Sequence, residues 1–468
     1  MPPPSTTPQC GAGSSSSSKR GRLEADSWAS LSQDLVEQIG WRVLAGDLRD
    51  YVRFRAVCTH WNSSTAPPRG RGVTDPRFHP RRWMLLPEGY GLYPGHPNLG
   101  GYVRFFNLST GAFVRIHLPL FDDHVVLDST DGLLLLLRHP DTAIRLLHPF
   151  TGDIAELPPV WPLLPQIKPG ISRYLTAEMK VQELDFFLRG VCAAVSVNTA
   201  GAIAVMLGID IKRRVAYATA GDQRWFLSDW ELPHLQARTM SFQGKLYATA
   251  VNPADKINVY YICRIDPPQP SAEGNHSLTL QPPRMLVKSP LLVGFGSAHL
   301  VECGSELMLA GFTDVSLAHL AVYKVSDLIK GRVVPLTDIG DHAIFFEGHG
   351  LCVSAKGFPS ISGNSIICRR RSFQMVETGD FNPLLGRRAM QPACPRIDQY
   401  DLGSGTWSPA IDEDVYSDVT PASPYTLAHH IFTCCYRSYW NKGLMVCAAI
   451  TPDWSLKPNL RIGGDGWM

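Results

Sequence analysis

Two periods of apolar residues divide the chain. Between residues 28 and 64 the period is helical. Leu31, Leu35, Ile39 and Val43 recur at every fourth position, with Val36 and Leu44 beside them. Ser32 stands where it can cap the first turn, and Asp34 lies near the positive helix end. Gly46 stops this helix. Asp47 is placed to cap a second one, with Asp50 three residues on in a capping-box-like arrangement. The second helix carries Leu48, Tyr51, Phe54, Cys58 and Trp61, and Val52 with Val57 widen the face. Pro67, Pro68 and Gly70 end the unit. The pattern thus predicts helices over 31–44 and 48–61. Two amphipathic helices of this length cannot bury both faces alone. They form either a lid on the following domain or an incomplete core that another protein completes.

From about residue 80 the period changes to two. Short apolar runs alternate with Gly, Pro, Asn and Asp turns, as in 82–87, 102–108, 112–119, 132–138, 143–149, 245–251, 257–265, 306–312 and 319–325. Strands of this length and spacing predict a sandwich, barrel or propeller. A weak internal repeat favours the propeller. Asn107-Leu108-Ser109-Thr110-Gly111 follows an apolar strand and precedes another, and His148-Pro149-Phe150-Thr151-Gly152 does the same. The two glycines are 41 residues apart, close to one four-stranded blade. Asp401-Leu402-Gly403-Ser404-Gly405 repeats the form late in the chain. A second element is a Gly just before an apolar strand, at Gly132, Gly244 and Gly304. The span from 80 to 450 then holds six to eight units. The stretch 160–186 fits the period poorly and reads as an insertion between blades. Val191 to Ile209 has no charged residue before Asp210, but Asn198-Thr199-Ala200-Gly201 splits it into the two strands of a hairpin rather than a membrane span.

Composition narrows the function classes. Of 468 residues, 44% are apolar and 18% charged, and 44 Lys and Arg balance 42 Asp and Glu. That balance gives no electrostatic drive toward nucleic acid or anionic lipid, so a protein partner is expected, with no nucleic acid and no membrane. The 11 cysteines include no CxxC pair, and the start of the chain has no apolar signal segment. Free, mostly buried thiols in a reducing compartment are expected, in the nucleus and/or cytoplasm. Residues 1–25 read as a disordered tail, with Lys19, Arg20 and Arg22 a solvated basic cluster.

Candidate chemistry is sparse. His429, His430, Cys434 and Cys435 hold the best metal-ligand types, but on a strand they split between two faces, so no metal site is expected. Asp122-Asp123-His124 reads as a solvated loop. No GxSxG, P-loop or HExxH motif occurs. Gly463 to Gly466 reads as a frayed end. No catalytic residue, metal or cofactor is expected. A propeller enzyme would need converging ligands in the channel, and none can be located.

Residues 28–61 resemble the F-box of plant F-box proteins. The matching features are Leu31, Asp34-Leu35, Ile39, Leu48 and the run Phe54-Arg55-Ala56-Val57-Cys58 closed by Trp61. The common Leu-Pro opening is Leu31-Ser32 here, and the Arg that often follows the last Trp is Asn62. The remainder resembles the KIB-type β-propeller, long labelled a domain of unknown function. The resemblance rests on Asp75-Pro76-Arg77-Phe78 leading to Trp83–Pro87, on Asp131–Leu135, and on Gly340–Phe346 with Phe358-Pro359 and Gly363–Ile367.

The resemblance implies a mainly β chain with a small α module, F-box helices followed by a degenerate, kelch-like propeller. The expected domains are the tail 1–25, the F-box 26–66, the propeller 75–450 and a C-terminal tail 451–468. It further implies a non-catalytic substrate-recognition subunit of a Skp–cullin–F-box ubiquitin ligase. Leu31, Asp34, Leu35, Ile39, Val43, Leu48, Phe54, Val57, Cys58 and Trp61 would meet a Skp-type adaptor, and through it a cullin–RING ligase, while the propeller captures an unknown protein target.

Overall fold

The computed structural model describes residue 28 and most of 30–443. Left out are 90, parts of 169–190, 233–237, 253–258, 271–277, 290–297, 314–315, 347, 359, 371–374, 383–386, 393–395, 411–425, 438–439 and 442. The expected tails 1–25 and 451–468, with Lys19, Arg20, Arg22 and Gly463 to Gly466, lie outside the described residues. The chain divides into two compact units at Pro68/Arg69.

Among the described residues the first unit has the helices α1 (Gln33–Gly46), α2 (Leu48–Arg55) and α3 (Thr59–Ser63). Ser32 occupies the cap position of α1 but makes no side-chain capping bond. Asp47 caps α2 by accepting the Arg49 N–H at 2.8 Å. Asp50 does not reach back as a capping box would; its carboxylate takes Arg53 at 3.3 Å. The expected single helix over 48–61 is two. The chain leaves helical geometry before Cys58, which adopts extended backbone and caps α3, its Sγ accepting the Trp61 N–H at 3.4 Å. That break turns Trp61 back onto Phe54, ring centroids 4.4 Å apart. Val36, Leu44, Leu48 and Tyr51 are buried, each contributing roughly 1.5–3 kcal/mol when removed from water. Gly40 allows the close approach, since a Cβ there would stand 2.9 Å from Thr65 Cγ2.

The second unit is a six-bladed β-propeller. Blade one has β1 (Trp83–Leu86), β2 (Tyr102–Asn107) and β3 (Phe113–His117). Blade two has β4 (His124–Thr130), β5 (Leu133–Arg138), β6 (Ile144–Leu147) and β7 (Ile154–Leu157). Blade three has β8 (Cys192–Val197), β9 (Ile203–Ile209), β10 (Arg214–Thr219) and β11 (Phe226–Leu227). β8 and β9 are the expected hairpin, and among the described residues no helix is long and apolar enough to cross a membrane. Blade four has β12 (Arg238–Phe242), β13 (Lys245–Asn252), β14 (Val259–Ile265) and β17 (Arg284–Ser289), with the small ribbon β15 (Gln269–Pro270) and β16 (Leu278–Thr279) between the last two. Blade five has β18 (His299–Cys303), β19 (Glu306–Phe312) and β20 (Leu320–Lys324). Blade six runs in the order β22 (Leu351–Ser354), β21 (His342–Phe345), β23 (Ser365–Arg370), β26 (Arg396–Asp401), β27 (Thr406–Pro409). The ribbon β24 (Met375–Asn382) and β25 (Arg387–Pro392) connects β23 to β26. Among the described residues all strand pairings are antiparallel except β21 with β23.

Blades stack face to face, so both faces of a central strand are buried. β5 makes this plain. Leu134 and Leu136 join the core shared with blades one and six, while Leu133, Leu135 and Leu137 join the core shared with blade three. A continuous leucine run is therefore one strand serving two seams. Described residues of the expected insertion at 160–186 also join the second core, through Leu163, Leu164 and Ile167.

The repeated sequence elements are two kinds of turn. Asn107–Gly111, His148–Gly152 and Asp401–Gly405 each connect the two outer strands of a blade. In all three the Gly N–H bonds back to the first residue's carbonyl, at 2.9, 3.0 and 2.9 Å. The first side chain also accepts a backbone N–H within the turn: Thr110 on Asn107, Thr151 on His148, Ser404 on Asp401. The Gly has positive φ each time, a conformation other L residues enter at a cost. Asp131-Gly132 and Gln243-Gly244 connect inner strands to their neighbours with positive φ at both positions, the two-residue hairpin turn that matches strand twist.

The inner strands β4, β8, β12, β18 and β22 follow one another round the ring. Blade one is joined to blade six differently. The segment holding His429 to Cys435, read above as a strand, is the helix α4 (Leu427–Cys435), capped by Thr426. It lies against both β1 and β21, and Ala428, Ile431, Phe432, Cys434 and Cys435 enter the core of blades one, two and six. Its apolar residues recur on nearly every side, which suits a helix enclosed by sheets.

Candidate docking surface and the inner face of the propeller

In the helical unit, α1 carries two adjacent apolar stripes, one residue apart and hence turned by about 100°. Val36, Gly40 and Leu44 are buried. Leu35 is 47% exposed, and Ile39 and Val43 in the same stripe are half-buried. On α2 and the break after it, Val52 is 48% and Val57 62% exposed. Leu31, Phe54, Cys58 and Trp61 are half-buried, and Asp34 is exposed. Leu48 is buried, so it holds the helices together and offers no surface. Sequence reading missed Trp28, 62% exposed, which precedes α1. α3 anchors the start of this row: a His60 ring nitrogen meets the Leu31 carbonyl at 2.8 Å, and Trp61 Nε1 donates to the Trp28 carbonyl at 3.4 Å.

In the propeller, Asp128 is fully buried at a bulge in β4. One carboxylate oxygen accepts the Ala193 N–H of blade three at 2.6 Å. The other accepts the Ser129 N–H at 2.6 Å and contacts the Arg437 guanidinium, from the segment after α4. Burial lowers the Arg437 pKa, and the facing carboxylate is what makes a buried guanidinium tolerable. Asn441 follows, its amide accepting the Val126 N–H at 3.0 Å and donating to the Val126 carbonyl at 2.7 Å. It pairs with β4 as a strand residue would.

The histidines and cysteines of α4 are each engaged separately, whereas Asp123 Oδ1 meets His124 Nδ1 at 2.5 Å. His429 meets Thr426 Oγ1 at 2.7 Å, His430 meets the Pro87 carbonyl at 3.0 Å, Cys434 donates to the Leu85 carbonyl and Cys435 to that of Ile431. Burial holds His429 neutral, its pKa pulled down to about 4. The expected solvated loop 122–124 is only partly so. Asp122 and Asp123 are exposed, but His124 opens β4 and is buried, with Nδ1 2.8 Å from the Leu120 carbonyl. A polar cluster that sequence did not reveal surrounds Asp131. Arg81 Nε stands 3.6 Å from it and His79 4.0 Å. Glu302 of β18 is pushed up to about 7, first by burial and then by Asp131, while Arg81 opposes the shift.

One further grouping was invisible in sequence. Cys303 at the end of β18, Cys352 on β22 and His342 on β21 bring their ligand atoms within 4.8 Å of one another. The Cys352 thiol donates to Cys303 Sγ at 2.8 Å, which lowers the Cys303 pKa and raises that of Cys352. Cys303 is buried and the other two are half-buried.

Two solved structures resemble the chain loosely. One is titled a crystal structure of a nidogen/laminin complex, with TM-score 0.27 and 10% identity over 69% of this chain and 91% of that one. The other is the Cps50 (Swd1) β-propeller domain of Myceliophteria thermophila, with TM-score 0.25 and 11% identity over 61% and 73%. No curated protein matches the sequence. A family model described as KIB1-4 beta-propeller matches residues 105–380.

Proposed function

The chain belongs to the KIB1-4 β-propeller family, and we propose that it is the substrate-recognition subunit of a Skp–cullin–F-box ubiquitin ligase. The helical unit docks a Skp-type adaptor, and the propeller holds a protein target. The observation that carries this reading is the set of large apolar side chains left uncovered on the helical unit: Leu35, Val52 and Val57 exposed, with Leu31, Ile39 and Val43 half-buried. Large apolar side chains presented together on a small helical unit mark a protein interface. The near-neutral charge fits a protein partner. The chain then performs no bond chemistry; it raises the effective concentration of the target's lysines near activated ubiquitin.

Co-expression with a Skp-type adaptor and a cullin tests the proposal. Recovery of both with the full chain supports it. Recovery of neither reduces the chain to a propeller interaction scaffold.

A further inference from the structure

Cys303, His342 and Cys352 lie at the seam of blades five and six, where β18 meets β22. Strand register explains the meeting. His342 pairs with Ser354 across the β21–β22 ribbon. Cys352, two residues from Ser354, therefore projects to the same face as His342. Cys303 ends β18 on the neighbouring blade and alternates with Glu302, whose carboxylate interacts with Asp131 and Arg81. The strand thus sends the thiol to the seam, and the Glu302 charge still acts on both thiols.

We propose that these three residues form a zinc site, with Cys303 and Cys352 as thiolate ligands, His342 as imidazole ligand and the fourth position open to solvent. One feature beyond proximity points to a metal. His342 Nδ1 lies 3.1 Å from the Ile339 carbonyl; donating there fixes the tautomer and leaves the Nε2 lone pair to ligate, the outer contact that metal-bound histidines characteristically make. The two sulfurs stand 2.8 Å apart, and a tetrahedral zinc with bonds of about 2.3 Å would set them about 3.8 Å apart. Loading opens the seam by only about 1 Å on that geometry. Two thiolates and one imidazole select zinc over magnesium, calcium or manganese. Binding takes both sulfurs to thiolate, and their protons pass to the buffer.

The test uses the full chain, reduced and then freed of reductant. Cobalt(II) added as a zinc surrogate should give the intense thiolate-to-metal absorption and visible bands of four-coordinate cobalt. Dialysed protein should keep one zinc per chain. Cys352→Ser, at a half-buried position, should lose the thiolate band in large part and weaken zinc at least tenfold, and His342→Gln should weaken it about tenfold. In the unaltered chain zinc should protect Cys303 and Cys352 from alkylation, read by peptide mass, which needs no variant to fold. Uptake unchanged in both variants, alkylation of these two thiols unaffected by zinc, or no cobalt spectrum overturns the proposal. So does a chain that takes no metal but links Cys303 to Cys352 as a disulfide under hydrogen peroxide.

Discussion

Asp128 holds Arg437 across 309 residues of chain, tying the segment after α4 to the inner strand of blade two. The same carboxylate accepts the Ala193 N–H from blade three. Asp128→Asn leaves the buried guanidinium facing a neutral amide and should cost roughly 3–5 kcal/mol. Adding Arg437→Met should recover part of that loss, because the two changes act on one contact. Urea unfolding of the propeller measures both. Additive losses in the double variant would show that the residues are not coupled.

Leu35→Asp and Trp61→Ala should each abolish co-purification of the adaptor while the propeller's circular dichroism and melting stay unchanged. Leu35 is exposed, so its substitution should alter stability by no more than about 0.5 kcal/mol. Trp61→Ala removes the stacking on Phe54 and tests the half-buried end of the row. Undiminished adaptor binding by both variants would refute the docking role.

Two turn glycines separate backbone strain from crowding. Gly152 has φ of 76° and open space where a Cβ would go, whereas Gly132 has φ of 79° and a Cβ there would lie 2.1 Å from the Pro80 carbonyl oxygen. Gly152→Ala should cost about 1–2 kcal/mol from conformation alone. Gly132→Ala should cost clearly more, since backbone must move. Equal losses in chemical denaturation would mean that the Pro80 contact yields freely.

Two opposed contributions to stability overlap on the acidic side of neutrality. Glu302 has a folded pKa of about 7, above its ordinary 4.5. The folded state therefore holds more protons, and stability falls as pH rises from about 4.5 to 7. His429, with a folded pKa of about 4 against 6.5, does the reverse. Its unfolded form binds the proton first, so stability falls as pH drops from 6.5 to 4. Between pH 4.5 and 6.5 the two oppose each other, so Glu302→Gln should uncover a steeper loss of stability as pH drops from 6.5 to 4, read from denaturation midpoints across that range.

Local rules made much of this legible. The turns ending in Gly111, Gly152 and Gly405 were readable because positive φ and a capping side chain constrain residue type within five positions. The leucine run of β5 announced a strand buried on both faces. The split of the second helix was not readable, because Cys58 caps with a thiol, a weak acceptor with no place among the usual capping residues. α4 was misread because nine residues, apolar nearly all round, carry no period that separates helix from buried strand. Within the docking row, sequence could not tell which of two adjacent stripes faces inward; Gly40, the point of close approach, decides it. Cys303, His342 and Cys352 escaped notice because their meeting depends on strand register and blade order, which no local spacing encodes.

Helix α4 also sets an order for biosynthesis. Trp83–Leu86 leaves the ribosome early, yet the cover for that strand is encoded after residue 426. Any nascent chain stalled short of Leu427 carries its first blade unshielded, so the earliest-made sheet is the last to be sealed and the one most in need of a chaperone.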